Sequence, residues 1–214
     1  MATQTPTGSA LAVDALLDAA LGPDATAPRR LLTAAIAAFA ERGYAATTTR
    51  DIAGRAGMSP AAMYVHYASK EQLLATISRF GHEQVLGAVR AAAAGEADPG
   101  ARLAAVMRTL AAWHATHHTV ARIVHYELGA LSPEHYAEVT ALRHEIEQVV
   151  GGVVAAGVTS GAFDPPDTAG AALAVLSLAV DVARWYSERG PRGPEGIGEL
   201  YADLALRMVG ARGV

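Results

Sequence analysis

Apolar residues recur at three- and four-residue spacing along most of the chain, and glycine or proline interrupts the spacing at intervals. Because side chains three and four positions apart share one face of a helix, this period predicts amphipathic helices. The first clear helix begins near Pro28 and ends at Gly43, and residues 1–26 before it, rich in Ala, Thr and Pro, are expected to form a disordered tail. Its apolar face contains Leu31, Leu32, Ala35, Ile36 and Phe39.

Capping residues predict about nine helices in all. Two short helices follow the first one, with N-caps at Thr48 or Thr49 and at Ser59, and Gly57 between them can adopt a left-handed turn. Later starts share a cap or a first-turn proline: Ser69 with Gln72, Asp98 with Pro99, Ser132 with Pro133, Asp164 with Pro165, and Pro194. The predicted stops are Gly95, Gly129, Gly161 and Gly190.

Composition supports an all-α fold. The chain has 49 alanines, three phenylalanines and no cysteine, and alanine favours helices whereas strands need β-branched and aromatic residues. The absence of cysteine removes disulfides, cysteine-based zinc sites and thiol catalysis. The longest uncharged stretch, 16 residues between Glu147 and Asp164, contains four glycines and is shorter than the roughly 18 residues of a membrane span. No basic cluster precedes Arg29, so we expect a cytoplasmic protein without a signal peptide.

Charge is distributed unevenly along the chain. Residues 1–26 carry a net charge of -3, residues 27–72 a net charge of +3, and residues 73–214 a net charge of -4. A small basic domain joined to a larger acidic one suggests that the first domain meets a polyanion. A net charge of +3 is also common on ordinary solvated surfaces, so charge alone does not show that residues 27–72 bind a polyanion, and the local sequence has to be considered.

Residues 47–74, TTTRDIAGRAGMSPAAMYVHYASKEQLL, fit two short helices that cross steeply at a glycine turn. Small or apolar residues occupy each position that such a crossing requires: Ile52, Ala53, Ala56, Met58 and Met63, with Gly57 in the turn. The motif taken alone leaves open an αα-hairpin inside a larger helical protein as the alternative.

Residues 29–74 resemble the N-terminal DNA-binding domain of the TetR family of bacterial transcription regulators. The resemblance rests on Phe39, Gly43, Thr48, Ile52, Ala53, Ala56, Gly57, Ser59, Tyr64, Tyr67 and Lys70. Tyr67 departs from the family, which more often has Phe there, and the N-terminal segment lacks a basic arm. The resemblance implies a helix-turn-helix domain at residues 27–74, an effector-binding and dimerisation domain at residues 75–214, and a ligand-responsive repressor of an inverted-repeat operator in double-stranded DNA.

The second short helix is the expected recognition helix. Because Met63 and Tyr67 face its small core, the opposite face enters the major groove. The residues expected at DNA are Thr48, Thr49, Ser59, Pro60, Ala61, Tyr64, Val65, His66 and Lys70. Thr48, Thr49, Tyr64 and Lys70 are expected to hold phosphates. The helix face has no Arg, Asn or Gln, so specificity is expected from thymine methyl groups, water bridges and DNA shape.

The later helices are less informative. In relatives, the last two helices dimerise, and these correspond to residues 165–189 and 194–212. The segments 130–146 and 181–194 are similar to family members whose effectors are acyl-CoA thioesters. Residues that offer an apolar cavity and phosphate ligands are Trp113, Arg122, Tyr126, Arg143, Arg184 and Trp185. The alternatives are core packing for the aromatic residues, surface ion pairs for the arginines, and a general sensor of hydrophobic drugs that controls efflux.

Two further function classes, an enzyme and a helical scaffold, remain open, and a metal site would favour the first. His114, His117 and His118 have i, i+3, i+4 spacing, but no acidic residue lies between positions 103 and 126, and we expect no metal site there. An all-α enzyme would need a nucleophile with a base, a carboxylate pair or a metal, and no such group has diagnostic spacing. A helical scaffold would not need the filled helix-turn-helix pattern, so we expect a regulator without catalytic residues or a cofactor.

Overall fold

The computed structural model describes residues 8–22 and 24–212, and the regular structure in these ranges is entirely helical, which confirms the predicted all-α class. The α-helices are α1 (Gly8–Leu21), α2 (Thr26–Ala46), α3 (Thr49–Arg55), α4 (Pro60–His66), α5 (Lys70–Gly95), α6 (Pro99–Thr116), α7 (His118–Tyr126), α8 (Pro133–Thr159), α9 (Thr168–Trp185) and α10 (Pro194–Met208). A short 3-10 helix, Leu128–Ala130, follows α7.

Contacts divide the chain into two compact units, and the division is not a single cut. The first unit contains the described residues up to His82 together with residues 119–140. The second unit contains residues 83–118 and the chain from Ala141 onward. Segment 119–140 therefore groups with the predicted DNA-binding helices, although the sequence placed the domain boundary after residue 74.

Helix α1 corrects the prediction that residues 1–26 form a disordered tail. Residues 8–21 form a regular helix that packs against α2, whereas residues 1–7 lie outside the described part of the chain. Its buried face contains Ala12, Val13, Leu16 and Leu17, and the two leucines are 1% and 0% exposed. Asp18 forms an ion pair with Arg29 of α2. The prediction was wrong because a four-residue apolar face is enough to hold a short alanine-rich helix once a partner helix covers it.

Two other boundaries differ from the sequence pattern. The predicted start at Asp164–Pro165 is replaced by a start at Thr168, where the side chain of Asp167 accepts a hydrogen bond from the Ala169 N–H (3.1 Å). Pro166 accounts for the delay, because a proline disfavours the helical conformation of the residue before it. The stretch between Asp98 and Gly129 forms two helices rather than one, with a non-helical backbone at His117 (φ -100°, ψ 25°).

The core of the second unit is built where α6, α9 and α10 pack together. Helix α6 supplies fully buried Leu103, Met107 and Leu110, and α10 approaches it closely at Gly198. A Cβ atom at Gly198 would lie 2.8 Å from the carbonyl oxygen of Arg108, so only glycine fits this crossing. Helix α9 is long and apolar enough to cross a membrane by length and composition alone, but its buried side chains, Val175, Ala179 and Val182, belong to this core.

Within the first unit, Glu71 ties the start of α5 to the start of α8. One of its carboxylate oxygens, Oε1, accepts hydrogen bonds from the Ser132 N–H and from Nδ1 of His135, both at 2.8 Å. The hydrogen bond to Glu71 raises the pKa of His135. Burial raises the pKa of Glu71, but the hydrogen bonds from Ser132 and His135 outweigh burial and leave it lower than usual. The pair is therefore charged on both sides over a wider pH range than either group alone.

Replacing Leu17 by Ala is expected to destabilise the protein by about 2 to 5 kcal/mol, because a fully buried leucine leaves a cavity. Leu11 lies on the same helix but is 56% exposed, so Leu11→Ala is the matched control and should change stability by less than about 0.5 kcal/mol. Urea unfolding followed by circular dichroism measures both. Equal effects of the two substitutions would show that α1 is not docked in solution.

Replacing His135 by Gln is expected to destabilise the protein more at pH 6 than at pH 8. The folded pKa of His135 is raised by Glu71, so the stabilisation is present below the unfolded pKa and is lost as the pH rises through the folded pKa. Unfolding free energies of wild type and His135→Gln at the two pH values give the comparison. His144→Gln is the control, since that exposed histidine lies outside this pair. A difference independent of pH would contradict the assigned contact.

Candidate DNA-binding and effector sites

The start of α3 is fixed by a complete capping box. Thr48 accepts a hydrogen bond from the Asp51 N–H at its Oγ1 atom (3.1 Å), and the Asp51 carboxylate accepts one from the Thr48 N–H (2.9 Å). The hydrogen bond from the Thr48 hydroxyl is the main reason why the pKa of Asp51 is lowered. Thr48 is exposed and Thr49 half-buried, so both residues remain at the surface where the sequence placed phosphate contacts.

Helix α4 presents the exposed face that the sequence predicts. The Ser59 hydroxyl caps the helix by accepting a hydrogen bond from the Ala62 N–H (3.1 Å), and Met63 is fully buried beneath it. On the opposite side, Tyr64 is 51% and Val65 80% exposed. The other predicted residues of this face, Pro60 and Ala61, are also exposed, and so is His66, which the sequence predicts at DNA. The structure therefore collects the predicted recognition residues on one side of a short, capped helix.

A hydrogen bond joins the two predicted DNA-binding helices at their surface. The hydroxyl groups of Thr49 on α3 and Tyr64 on α4 are 3.2 Å apart. Gly57 makes the turn between the helices with φ 64°, and Arg30 of α2 donates a hydrogen bond to the carbonyl of Ala56 next to it. The α3–α4 pair is thus held at its turn and at its exposed edge.

Lys70 is placed differently from the sequence prediction. Its ammonium donates hydrogen bonds to the backbone carbonyls of Tyr44 (2.7 Å) and Thr47 (2.8 Å), and it lies 4.1 Å from the centre of the Tyr44 ring. The sequence assigned this lysine to a DNA phosphate, whereas the structure uses two of its three donors on the turn between α2 and α3. Sequence reasoning missed these contacts of Lys70 with Tyr44 and Thr47, although Gly43 signals carbonyls left without helical partners.

The residues predicted to bind an effector are divided between the two units. Arg122 and Tyr126 line a cavity of about 250 Å³ in the first unit, together with Phe39 and Glu127. The second unit contains Trp113, Arg143, Arg184 and Trp185. Among these, the Trp113 Nε1–H donates to Gln84 Oε1 (2.8 Å), so this indole is held by a neighbour on α5.

A cavity of about 360 Å³ lies beside Trp185 within the second unit. Trp185 is 44% exposed and stacks on Tyr201 with ring centres 6.4 Å apart. The remaining lining includes Tyr186, Arg192, Ile197, Leu200 and Leu204. Arg184 instead forms a two-pronged ion pair with Asp181 (2.6 and 2.8 Å). The cavity thus combines aromatic walls with one guanidinium, Arg192, which sequence reasoning missed.

The histidines between α6 and α7 are arranged for packing. His114 and His118 each direct Nδ1 at a backbone carbonyl, of Leu110 (2.8 Å) and Ala115 (2.9 Å). His117 packs 4.8 Å from the Trp113 ring, and burial lowers the pKa of His117 to about 4, so its imidazole is neutral near pH 7. Within residues 8–22 and 24–212, no three potential metal-ligating side chains come together as a metal site.

Two family models match the chain, one in its N-terminal part and one in its C-terminal part. Residues 31–77 match the family model for bacterial regulatory proteins of the tetR family, and residues 96–209 match the model for the tetracyclin repressor-like C-terminal domain. The transcriptional repressor KstR2 of Rhodococcus jostii is 32% identical over 178 residues, which cover 82% of this chain and 87% of that protein.

Solved structures share the fold over nearly their whole length. A regulatory protein of the tetR family from Rhodococcus RHA1 aligns with a TM-score of 0.82 and 44% identity, covering 86% of this chain and 97% of its own. The ketosteroid transcriptional regulator KstR2 of Mycobacterium tuberculosis aligns with a TM-score of 0.78 and 28% identity, covering 86% of this chain and 96% of its own. With the capped α3–α4 pair and its exposed face, these matches establish that the chain belongs to the TetR family of ligand-responsive, DNA-binding transcription repressors.

Proposed function

We propose that this repressor acts in the cytoplasm as a homodimer on an inverted-repeat operator, and that a hydrophobic acyl-CoA releases it from the DNA. The observation that carries the proposal is the exposed face of α4 above fully buried Met63. In this arrangement α4 enters the major groove, while Thr48, Thr49 and Tyr64 contact phosphates. Val65 and Ala61 supply apolar contact to thymine methyl groups, because the face carries no side chain for bidentate readout of guanine or adenine.

Dimerisation is supported by apolar side chains left exposed on the last two helices. Leu173 on α9 is 64% exposed, Met208 on α10 is 39% exposed, and the two helices pack together. A second copy of the same pair would cover these residues in a four-helix arrangement. A two-fold dimer presents two α4 helices, which is why the operator is expected to contain two half-sites about 34 to 36 Å apart or somewhat more.

The effector proposal is supported by the chemistry of the cavity beside Trp185. Its aromatic and aliphatic lining suits an acyl or polycyclic group, and Arg192 can hold a phosphate by charge-assisted hydrogen bonds. The KstR2 relative of Mycobacterium tuberculosis carries the name of a ketosteroid regulator, which favours a polycyclic acyl group. The Arg184–Asp181 ion pair argues for Arg192 rather than Arg184 as the phosphate ligand. A general hydrophobic-drug sensor is the second candidate, because the same lining binds apolar molecules of many kinds.

Replacing Tyr64 by Ala is expected to weaken binding to a selected operator and to unrelated duplex DNA by similar factors, about tenfold, since phosphate contacts position the protein without discriminating sequence. Val65→Ala should weaken operator binding more than non-specific binding. Tyr136→Ala is the matched control, an exposed tyrosine on α8 that lies outside the face. Fluorescence anisotropy with an operator selected from random duplexes gives the affinities, and sedimentation should find two chains per operator. Unchanged affinity of Tyr64→Ala for both DNAs would remove this face from the interface.

A polycyclic or long-chain acyl-CoA is expected to release the operator at lower concentration than the corresponding free acid. The apolar group contributes about 25 cal/mol for each Å² removed from water, and the CoA phosphates add hydrogen bonds to arginine that the acid cannot make. Trp185→Ala should raise the concentration needed for release without changing operator affinity, whereas Trp185→Phe, which keeps a flat ring, should change it less. Equal release by free acids or unrelated hydrophobic drugs would instead favour the general sensor.

A further inference from the structure

The turn between α2 and α3, residues 43–48, sets the position of Thr48 and Thr49. Gly43 has φ 77° and ψ 161°, so the helical hydrogen bonds of α2 are interrupted there. Thr47, which is 1% exposed, restores part of the bonding by donating its hydroxyl hydrogen bond to the Gly43 carbonyl (2.8 Å). Backbone groups near Gly43 that helices would otherwise satisfy need partners from elsewhere, because burying them without hydrogen bonds costs free energy.

Two side chains distant in sequence supply those partners at Tyr44. Lys70 of α5 donates a hydrogen bond to the Tyr44 carbonyl, as described above. Glu127, which follows α7, accepts a hydrogen bond from the Tyr44 N–H at Oε1 (3.2 Å) across 83 positions of sequence. The backbone carbonyl of Tyr44 is thus bound by the ammonium of Lys70, and its backbone N–H by the carboxylate of Glu127. The ring of Tyr44 adds packing against Phe39, with centroids 5.3 Å apart.

The location of Glu127 gives this contact its significance. It belongs to segment 119–140, which is part of the first unit although the chain on both sides belongs to the second. The family model for the DNA-binding domain ends at residue 77, so Glu127 falls within the model for the C-terminal domain. A residue of the effector-domain sequence therefore holds the backbone directly ahead of the predicted phosphate-contacting threonines.

We infer that Glu127 is a positioning residue for DNA binding: its carboxylate holds the Tyr44 N–H and so fixes the α2–α3 turn in the placement that operator binding needs. The required property is the hydrogen-bond acceptor, not the negative charge. Charge alone would act in the opposite direction, because an anion near a DNA-binding surface repels phosphate. The inference predicts that removing the acceptor weakens operator binding, whereas removing the charge while keeping an acceptor does not.

The test compares Glu127→Ala with Glu127→Gln, whose amide oxygen can still accept from Tyr44. Glu134→Ala is the matched control, because it removes an exposed carboxylate from the same segment. We expect Glu127→Ala to weaken operator binding by about tenfold, the scale of one lost hydrogen bond. Glu127→Gln and Glu134→Ala should stay within about twofold of wild type. The dependence of affinity on salt should keep its slope in all three variants, since no phosphate contact is removed.

Three outcomes would overturn the inference. Tighter binding by Glu127→Ala would assign Glu127 a purely electrostatic effect, and affinity within twofold of wild type would show that the contact does not position the turn. Weakening by Glu127→Gln equal to that by Glu127→Ala would show that an acceptor is not sufficient. Affinities are expressed per active dimer, with active fractions from stoichiometric titration, so that a loss of folded protein is not counted as a loss of affinity.

Hydrogen exchange of the wild-type protein provides a measurement that does not depend on a variant folding. The amide of Tyr44 should exchange slowly if Glu127 accepts its hydrogen bond, and exchange as fast as an exposed loop amide would contradict the inference. The inference rests on the proposed placement of Thr48 and Thr49 at DNA. If Tyr64→Ala leaves DNA binding unchanged, the proposed face fails, whereas the Glu127 comparison still reports whether the α2–α3 turn affects operator affinity.

Discussion

The DNA-binding half of this protein depends on the small core beneath α3 and α4. Each of these helices has seven residues, which is too short for stability in isolation. Ile52, Ala53 and Met63 are 0% exposed, and their burial joins two marginal helices into one rigid pair. The caps at Thr48 and Ser59 set where each helix begins. Because Met63 is buried, the rotation of α4 about its axis is fixed, and with it the side of the helix that faces outward. A change in this core alters every contact made above it.

The same local character explains why this part of the fold could be predicted from the sequence. Thr48, Ser59 and Gly57 act on residues within three positions of themselves, and the faces of α4 follow from helical period alone. The buried Met63 and the exposed Val65 are therefore where the spacing places them. The spacing of Val13, Leu16 and Leu17 also indicates helix α1. The composition of residues 1–26 instead favoured a disordered tail.

Contacts distant in sequence could not be predicted in this way. Lys70 reaches the Thr47 carbonyl across 23 positions, and nothing in its local pattern distinguishes that contact from a phosphate contact. The predicted effector residues show the same limit, because the sequence does not tell which of several aromatic and arginine side chains line a cavity. Only the folded chain shows that Asp181 neutralises Arg184, whereas Arg192 lines the cavity with Tyr201.

The discontinuous first unit has a consequence for how such regulators can be recombined. A chimera made by joining residues up to about 77 to the effector half of another repressor would carry α2, α3 and α4 but leave Glu127 behind. The Tyr44 N–H would then meet whatever residue the new partner places there, and α7 would be foreign to the helices it packs among. The part of the chain that has to be transferred with the DNA-binding helices therefore consists of two segments, the residues up to His82 and residues 119–140. Domain swaps within the family should succeed when they exchange both segments or conserve the contacts between them.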